Sequence, residues 1–128
     1  MKARNIRIPD FSKPFTGLVL LLVGVASGLG KEDIKSDLEG FRQNVKPLLQ
    51  KYCVDCHGPD KQKGDMRLDT IDPDMVRGTS FDQWEDVREA FNTGEMPPEK
   101  KPQPTDAERD LMTRWMDVEF KKVKLHGS

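Results

Sequence analysis

The chain has 128 residues, of which 34% are charged and only 35% are hydrophobic, so it has room for one domain with a small apolar core. Its 21 basic and 22 acidic side chains are interleaved and give a formal net charge of −1, which argues against nucleic-acid binding because that requires a basic patch. In a chain of this size, a small core also favours a cofactor that contributes apolar surface.

Residues 1–30 have the pattern of a secretory signal peptide. Four basic residues precede an apolar run from Leu18 to Ala26, and small residues follow, as a signal peptidase site requires. The alternative is a retained membrane anchor, but the run is shorter than the roughly 20 residues that span a bilayer. We therefore expect a secreted or periplasmic protein whose domain comprises residues 31–128. Because residues 1–30 carry a net charge of +3, that domain carries −4.

An amphipathic helix is predicted to begin near Ser36 and to end directly before Cys53. Its apolar residues recur at steps of three and four: Leu38, Phe41, Val45, Leu48, Leu49 and Tyr52. Pro47 falls inside this pattern, so we expect a kink or a break there.

The helix leads into the run Cys53-Val54-Asp55-Cys56-His57. Such a Cys-x-x-Cys-His run is typical of c-type haem attachment, in which both thiols bond to the porphyrin and the histidine binds the iron. A thioredoxin-like redox pair would need a βαβ context, and a structural zinc site would need four ligands, whereas the chain has two Cys and two His. A plain Cys53–Cys56 disulfide stays open but leaves His57 without a role. The motif predicts one covalent haem c.

Residues 58–80 contain turn-forming clusters and are predicted to form a long loop. Isolated apolar residues in it need a surface to pack on, and a porphyrin face would serve: Leu68, Ile71, Met75 and Val76.

Two further helices are predicted from capping boxes at Ser80–Gln83 and Thr105–Glu108. The first should end near Gly94 and bury Trp84, Val87 and Phe91. The second should present a stripe of Leu111, Trp115 and Val118, with Met112 and Met116 beside it. Strand-like alternation is absent from the sequence, which therefore predicts an all-α fold with three main helices and long loops.

Met96 is the favoured sixth ligand of the iron. It follows a predicted helix, and Pro97 biases its backbone towards an extended conformation in a stiff loop. A soft thioether binds ferrous iron well and raises the reduction potential. Of the other candidates, Met112 and Met116 fit a helix core better, and Met66 is too close to His57 in sequence to cross the ring easily. Met75 and His126 remain as weaker alternatives.

Several short motifs lie together between residues 36 and 120: Tyr52-Cys53-x-x-Cys56-His57-Gly58, Gly64-x-x-Arg67-Leu68-Asp69-Thr70, Gly94-Glu95-Met96-Pro97-Pro98 and Gln103-Pro104. In these motifs the chain resembles the class I cytochrome c domains of planctomycete-type secreted proteins. The resemblance implies a small class I cytochrome c-like fold around one haem, thioether bonds from Cys53 and Cys56, iron ligation by His57 and Met96, and one-electron transfer without an enzymatic reaction.

The chain departs from the usual class I pattern at one helix contact. Many class I cytochromes pair a glycine of the first helix with an aromatic residue of the last, but Val45 and Leu49 stand at the corresponding positions here. We therefore expect Phe41 or Val45 to pack against Trp115. Arg67 and Trp84 are each predicted either to support the haem, through a propionate and an indole N–H, or to be a surface charge and a core aromatic.

The first functional hypothesis is a periplasmic electron carrier, with monomers favoured and redox proteins as partners. The alternative is a haem-based sensor or small-ligand binder with an open sixth site. A peroxidase is disfavoured because His126 is the only second histidine. A haem-free module held by a disulfide is the remaining hypothesis. Membrane contact is expected only through residues 1–30, if they are not cleaved.

Overall fold

The structure is a computed structural model that describes residues 33–127, so the signal segment predicted at residues 1–30 lies outside the described residues. Within 33–127 the chain forms three helices and long loops, with no strand apart from an isolated bridge between His57 and Gln62. This confirms the helical prediction. None of these three helices is long and apolar enough to span a membrane.

Helix α1 consists of two α-helical pieces, Leu38–Gly40 and Lys46–Tyr52, on either side of a π-helical turn, Phe41–Val45. Helix α2 is Phe81–Asn92 and helix α3 is Asp106–His126. The predicted loop between α1 and α2 contains only a 3₁₀ turn, Lys63–Asp65.

The interruption predicted at Pro47 is a widened turn and not a break. In the π-helical turn the N–H of Lys46 donates to the carbonyl of Phe41, five residues earlier. Proline has no N–H, and its ring crowds the carbonyl four residues before it, so an α-helical ladder cannot continue unchanged through this position. A π-helical turn just before the proline lets α1 absorb the disturbance.

The capping box predicted at the start of α2 is wrong. Ser80 does occupy the N-cap, but its hydroxyl oxygen accepts a hydrogen bond from the backbone N–H of Asp72 (3.1 Å) and none from the helix. The carbonyl of the same Asp72 accepts from the indole Nε1–H of Trp84 (2.7 Å). Trp84 is therefore a core aromatic that fastens the loop to α2. The predicted end of α2 is confirmed, since Gly94 follows it with φ of 77°, a conformation that glycine adopts easily.

Helix α3 begins as predicted but buries a different face. The capping box is complete, with Glu108 N–H donating to Thr105 Oγ1 (3.2 Å) and Thr105 N–H donating to the Glu108 carboxylate (2.8 Å). Val118, however, is 52% exposed, so the predicted stripe is displaced by one residue. The buried positions are Met112, Trp115, Met116 and Glu119.

Glu119 is a fully buried carboxylate that the sequence analysis did not anticipate. Its Oε1 accepts from the backbone N–H of Asp37 (3.2 Å) and from Nζ of Lys122 (2.6 Å). Within the described part of the chain its Oε2 has no partner. The carboxylate joins the start of α1 to the end of α3, and a buried charge is tolerated where such contacts compensate for lost hydration.

Three aromatic rings, one from each helix, form the centre of the core. The ring of Phe41 lies with its centroid 6.0 Å from that of Trp84 and 5.6 Å from that of Trp115, and the two indoles are 5.2 Å apart. Aromatic pairs at such distances stabilise a core beyond the burial of their area. The predicted packing of Phe41 against Trp115 is confirmed.

The long loop packs on this core. Leu68, Ile71 and Met75 are all buried in the cluster that contains the three rings, whereas Val76 is only half-buried. Most of these apolar side chains are therefore covered by the protein core, which provides the packing surface that the sequence assigns to a porphyrin face.

Glu108 ties α3 to the end of α1. Its carboxylate accepts from the Tyr52 hydroxyl (2.7 Å) and from Lys51 Nζ (3.0 Å), in addition to the capping bond. The bond from the Thr105 N–H, followed by those from Tyr52 and Lys51, lowers the pKa of Glu108 to about 2.

We expect Glu108→Gln to reduce stability at neutral pH and to matter little in acid. Because the pKa of Glu108 is lower in the folded than in the unfolded state, its contribution is present above the unfolded value of about 4.3 and is lost as the pH falls towards about 2. Denaturant unfolding at several pH values between these limits measures the effect. The exposed Glu85→Gln is the control, and a Glu108→Gln deficit that stays constant down to pH 2 would contradict the expectation.

Candidate cofactor site

A cavity of about 660 Å³ is enclosed by the end of α1, the loop after it, α2, the loop between α2 and α3, and α3. The four residues predicted as the site, Cys53, Cys56, His57 and Met96, all line it. Its volume lies within the range of about 300–1,000 Å³ that is usual for pockets holding small ligands and cofactors.

The remaining walls are mostly apolar. Apolar side chains from the loop after α1, from α2 and from α3 contribute to them: Met66, Leu68, Val87, Ala90, Phe91 and Met112. Phe91 and Met112 also belong to the protein core, so the cavity opens directly against it. Such walls exclude water and suit a large apolar group.

The backbone of the motif continues α1 by one tight turn. Cys53 N–H donates to the carbonyl of Leu49 (2.9 Å), and His57 N–H donates to the carbonyl of Cys53 (2.9 Å). The carbonyl of His57 then accepts from Leu68 N–H (2.7 Å), which joins the motif to the long loop. The two thiols and the imidazole are thus held at the end of a helix.

Gly58 closes this turn because no larger residue fits. A Cβ at this position would lie 2.3 Å from the carbonyl oxygen of Val54, a backbone atom that cannot move aside by a side-chain rotation. The glycine therefore allows the chain to turn back directly after His57.

The two cysteines are free, partly buried thiols, so the structure does not contain the Cys53–Cys56 disulfide that one alternative required. Burial, assisted by the neighbouring Cys56, raises the pKa of Cys53 to about 11. Redox-active Cys-x-x-Cys pairs show the opposite behaviour, with a lowered thiol pKa. Cys53 thus lacks the lowered pKa of a thioredoxin-like nucleophile.

His57 has a ring nitrogen that is left without a partner. Its Nδ1 is buried and makes no hydrogen bond within residues 33–127. Burying an unpaired polar atom is costly, so this nitrogen requires a partner beyond the protein groups of residues 33–127. The same residues contain no cluster of three or more His, Cys, Asp or Glu that could bind a metal ion. The two thiols, one imidazole and apolar walls fit a haem.

The backbone of Met96 is fixed to α2, because its N–H donates to the carbonyl of Ala90 (2.9 Å). The side chain is half-buried and lines the cavity. Three of the other sixth-ligand candidates lie elsewhere, Met75 and Met116 in the core and His126 in the exposed last turn of α3. Two remaining methionines also line the cavity, namely Met66 and Met112. Sequence distance from His57 therefore did not exclude Met66.

Lysines are the principal charged residues of the cavity lining: Lys51, Lys63, Lys100 and Lys101. Lys51 pairs with Glu108 (3.0 Å) and Lys101 pairs with Asp55 (3.2 Å). In the described part of the chain Lys63 and Lys100 have no ion-pair partner.

Arg67, predicted as a possible propionate partner, is not in the lining. Its guanidinium pairs with Asp69 instead, with Nε 3.1 Å from Oδ1.

Comparison with known proteins gives one family. Residues 53–100 match the family model described as planctomycete cytochrome C, and neither a curated protein nor a solved structure matches the chain. The matched segment contains both cysteines, His57 and Met96. The family resemblance predicted from the sequence is confirmed.

Proposed function

From the planctomycete cytochrome c match over residues 53–100, we propose that this protein is a secreted class I c-type cytochrome that carries single electrons on one covalently bound haem. The observation that carries the proposal is the convergence of Cys53, Cys56, His57 and Met96 on one apolar cavity. Export belongs to the same proposal because c-type haem is attached outside the cytoplasm, where redox proteins would be its partners.

Each of the four residues has a role in this proposal. Cys53 and Cys56 would form the thioether bonds to the porphyrin, and His57 and Met96 would bind the iron. The haem supplies one-electron chemistry by cycling between ferrous and ferric iron. The protein holds the ring, keeps water out and fixes the two ligands so that little rearrangement accompanies electron transfer.

The lysines of the lining complete the fit. A haem combines an apolar ring with two propionate carboxylates, and the cavity combines apolar walls with two lysines that lack an ion-pair partner among residues 33–127, Lys63 and Lys100. We assign these two side chains to the propionates. Both are exposed, so they would contribute orientation at the cavity mouth more than affinity.

The proposal is tested on full-length protein exported from a host that attaches c-type haem. We expect one haem per chain that survives denaturation, and a reduced protein that does not bind carbon monoxide rapidly at neutral pH. A haem-free product would contradict the proposal. Rapid binding of carbon monoxide would favour the alternative, a sensor or ligand binder with an open sixth site.

A further inference from the structure

The loop that carries Met96 is stabilised by one side-chain amide. Nε2 of Gln103 donates to the carbonyl oxygens of Pro97 (3.1 Å), Pro98 (2.9 Å) and Lys101 (3.1 Å). An amide group has two N–H bonds, so three acceptors share them. The amide thus draws together the segment that directly follows Met96.

Few backbone hydrogen bonds stabilise this segment. Its prolines lack backbone N–H groups, and the only backbone hydrogen bond within residues 97–103 runs from Lys101 N–H to the Pro98 carbonyl (2.8 Å). Gln103, in contrast, stands two residues before Thr105, the N-cap of α3, and is therefore attached to a long helix with a complete capping box. The hydrogen bonds of the Gln103 amide therefore connect the loop to the start of α3.

We propose that Gln103 is the positioning residue that keeps the Met96 thioether on the haem iron. The inference rests on the proposed function, and specifically on ligation by Met96. Gln103 is exposed and does not line the cavity, so it acts through the loop and not by touching the haem. On the other side of Met96 the loop is fixed by the bond from its N–H to Ala90. Loss of the amide would release one of these two anchors.

The orientation of the Gln103 amide determines which substitutions test its role most directly. All three partners are carbonyl oxygens, so only the amino group of Gln103 can face them. In Gln103→Glu a carboxylate of nearly the same shape would point at three acceptors, and in Gln103→Leu a similar volume would remain without donors. Gln50→Glu makes the same chemical change on an exposed residue of α1 that is not part of the cavity lining, and it serves as the matched control.

The experiment uses the full-length, haem-loaded protein and measures carbon monoxide binding to the reduced form and the thioether–iron charge-transfer band of the oxidised form. We expect both Gln103 variants to raise the fraction of chains with an open sixth site by about tenfold, the effect of losing one net hydrogen bond. The charge-transfer band should weaken in parallel, and Gln50→Glu should match the parent protein. If Gln103→Glu is not obtained as a folded protein, Gln103→Leu alone tests the proposal.

Met96→Leu, which removes the sulphur itself, is measured in the same experiment as the reference variant. If Met96→Leu opens the sixth site and neither Gln103 variant does, the role of Gln103 is refuted while the proposed ligand stands. If Met96→Leu changes nothing, the ligand assignment and this inference fail together. An equal effect of Gln50→Glu would also refute the inference, because a distant charge would then explain it.

Discussion

Replacing both Cys53 and Cys56 with serine is expected to give a protein that retains no haem after acid-acetone extraction. These are the only cysteines of the chain, and serine forms no thioether to a porphyrin. Any haem that still entered the cavity would be held only by its axial ligands and apolar contacts, which acid breaks. Haem absorbance of the precipitated protein measures the effect, and we expect essentially complete loss.

The single variants and a substitution between the cysteines separate attachment from folding. Cys53→Ser and Cys56→Ser each keep one thiol, so each should retain haem through one bond. Asp55→Ser leaves both thiols in place at an exposed position and should retain haem like the parent protein. Haem that remained with the double variant would show that attachment occurs elsewhere, and the central assignment would be lost.

The features that sequence reasoning predicted correctly depend on near neighbours in the chain. The capping box between Thr105 and Glu108 spans four residues, and Gly94 ends α2 by a local backbone conformation. In both cases the groups that decide the structure lie within a few residues of each other, so the local sequence is sufficient to predict it.

The predictions that failed were decided by partners distant in the chain. Ser80 has the sequence context of a capping residue, but its hydroxyl oxygen accepts a hydrogen bond from the backbone N–H of Asp72 and none from the helix. The predicted buried face of α3 was wrong by one position because Glu119 lies inward. There its carboxylate accepts a hydrogen bond from the backbone N–H of Asp37. Periodicity treats a glutamate as a solvent-facing residue. No local sequence pattern predicts these two hydrogen bonds.

In the described part of the chain, three of the candidate methionines line the cavity: Met66, Met96 and Met112. The case for Met96 is the loop, since its backbone is fixed at Ala90 on one side and through Gln103 on the other. Met112, in contrast, is a core residue of α3 that is 2% exposed. A ligand held by the loop can be replaced with little damage to the core, which makes the assignment testable.

We expect Met96→Leu to lower the midpoint potential on the order of 100 mV, within the range of about 0.8 V that axial ligands control. The thioether favours ferrous iron, and leucine keeps the volume of the side chain while it removes the sulphur. Carbon monoxide should then bind rapidly to the reduced protein. Redox titration of the purified, haem-loaded protein measures the potential.

Met66→Leu and Met112→Leu are the matched controls, because both methionines line the same cavity and lose only their sulphur. Each should leave the potential close to that of the parent protein and the sixth site closed. A large fall of the potential in one of these variants, with none in Met96→Leu, would transfer the ligand to that methionine. Since Met66 follows the motif on the loop after α1 and Met112 belongs to α3, the variant that responds also identifies which element closes the iron's second face.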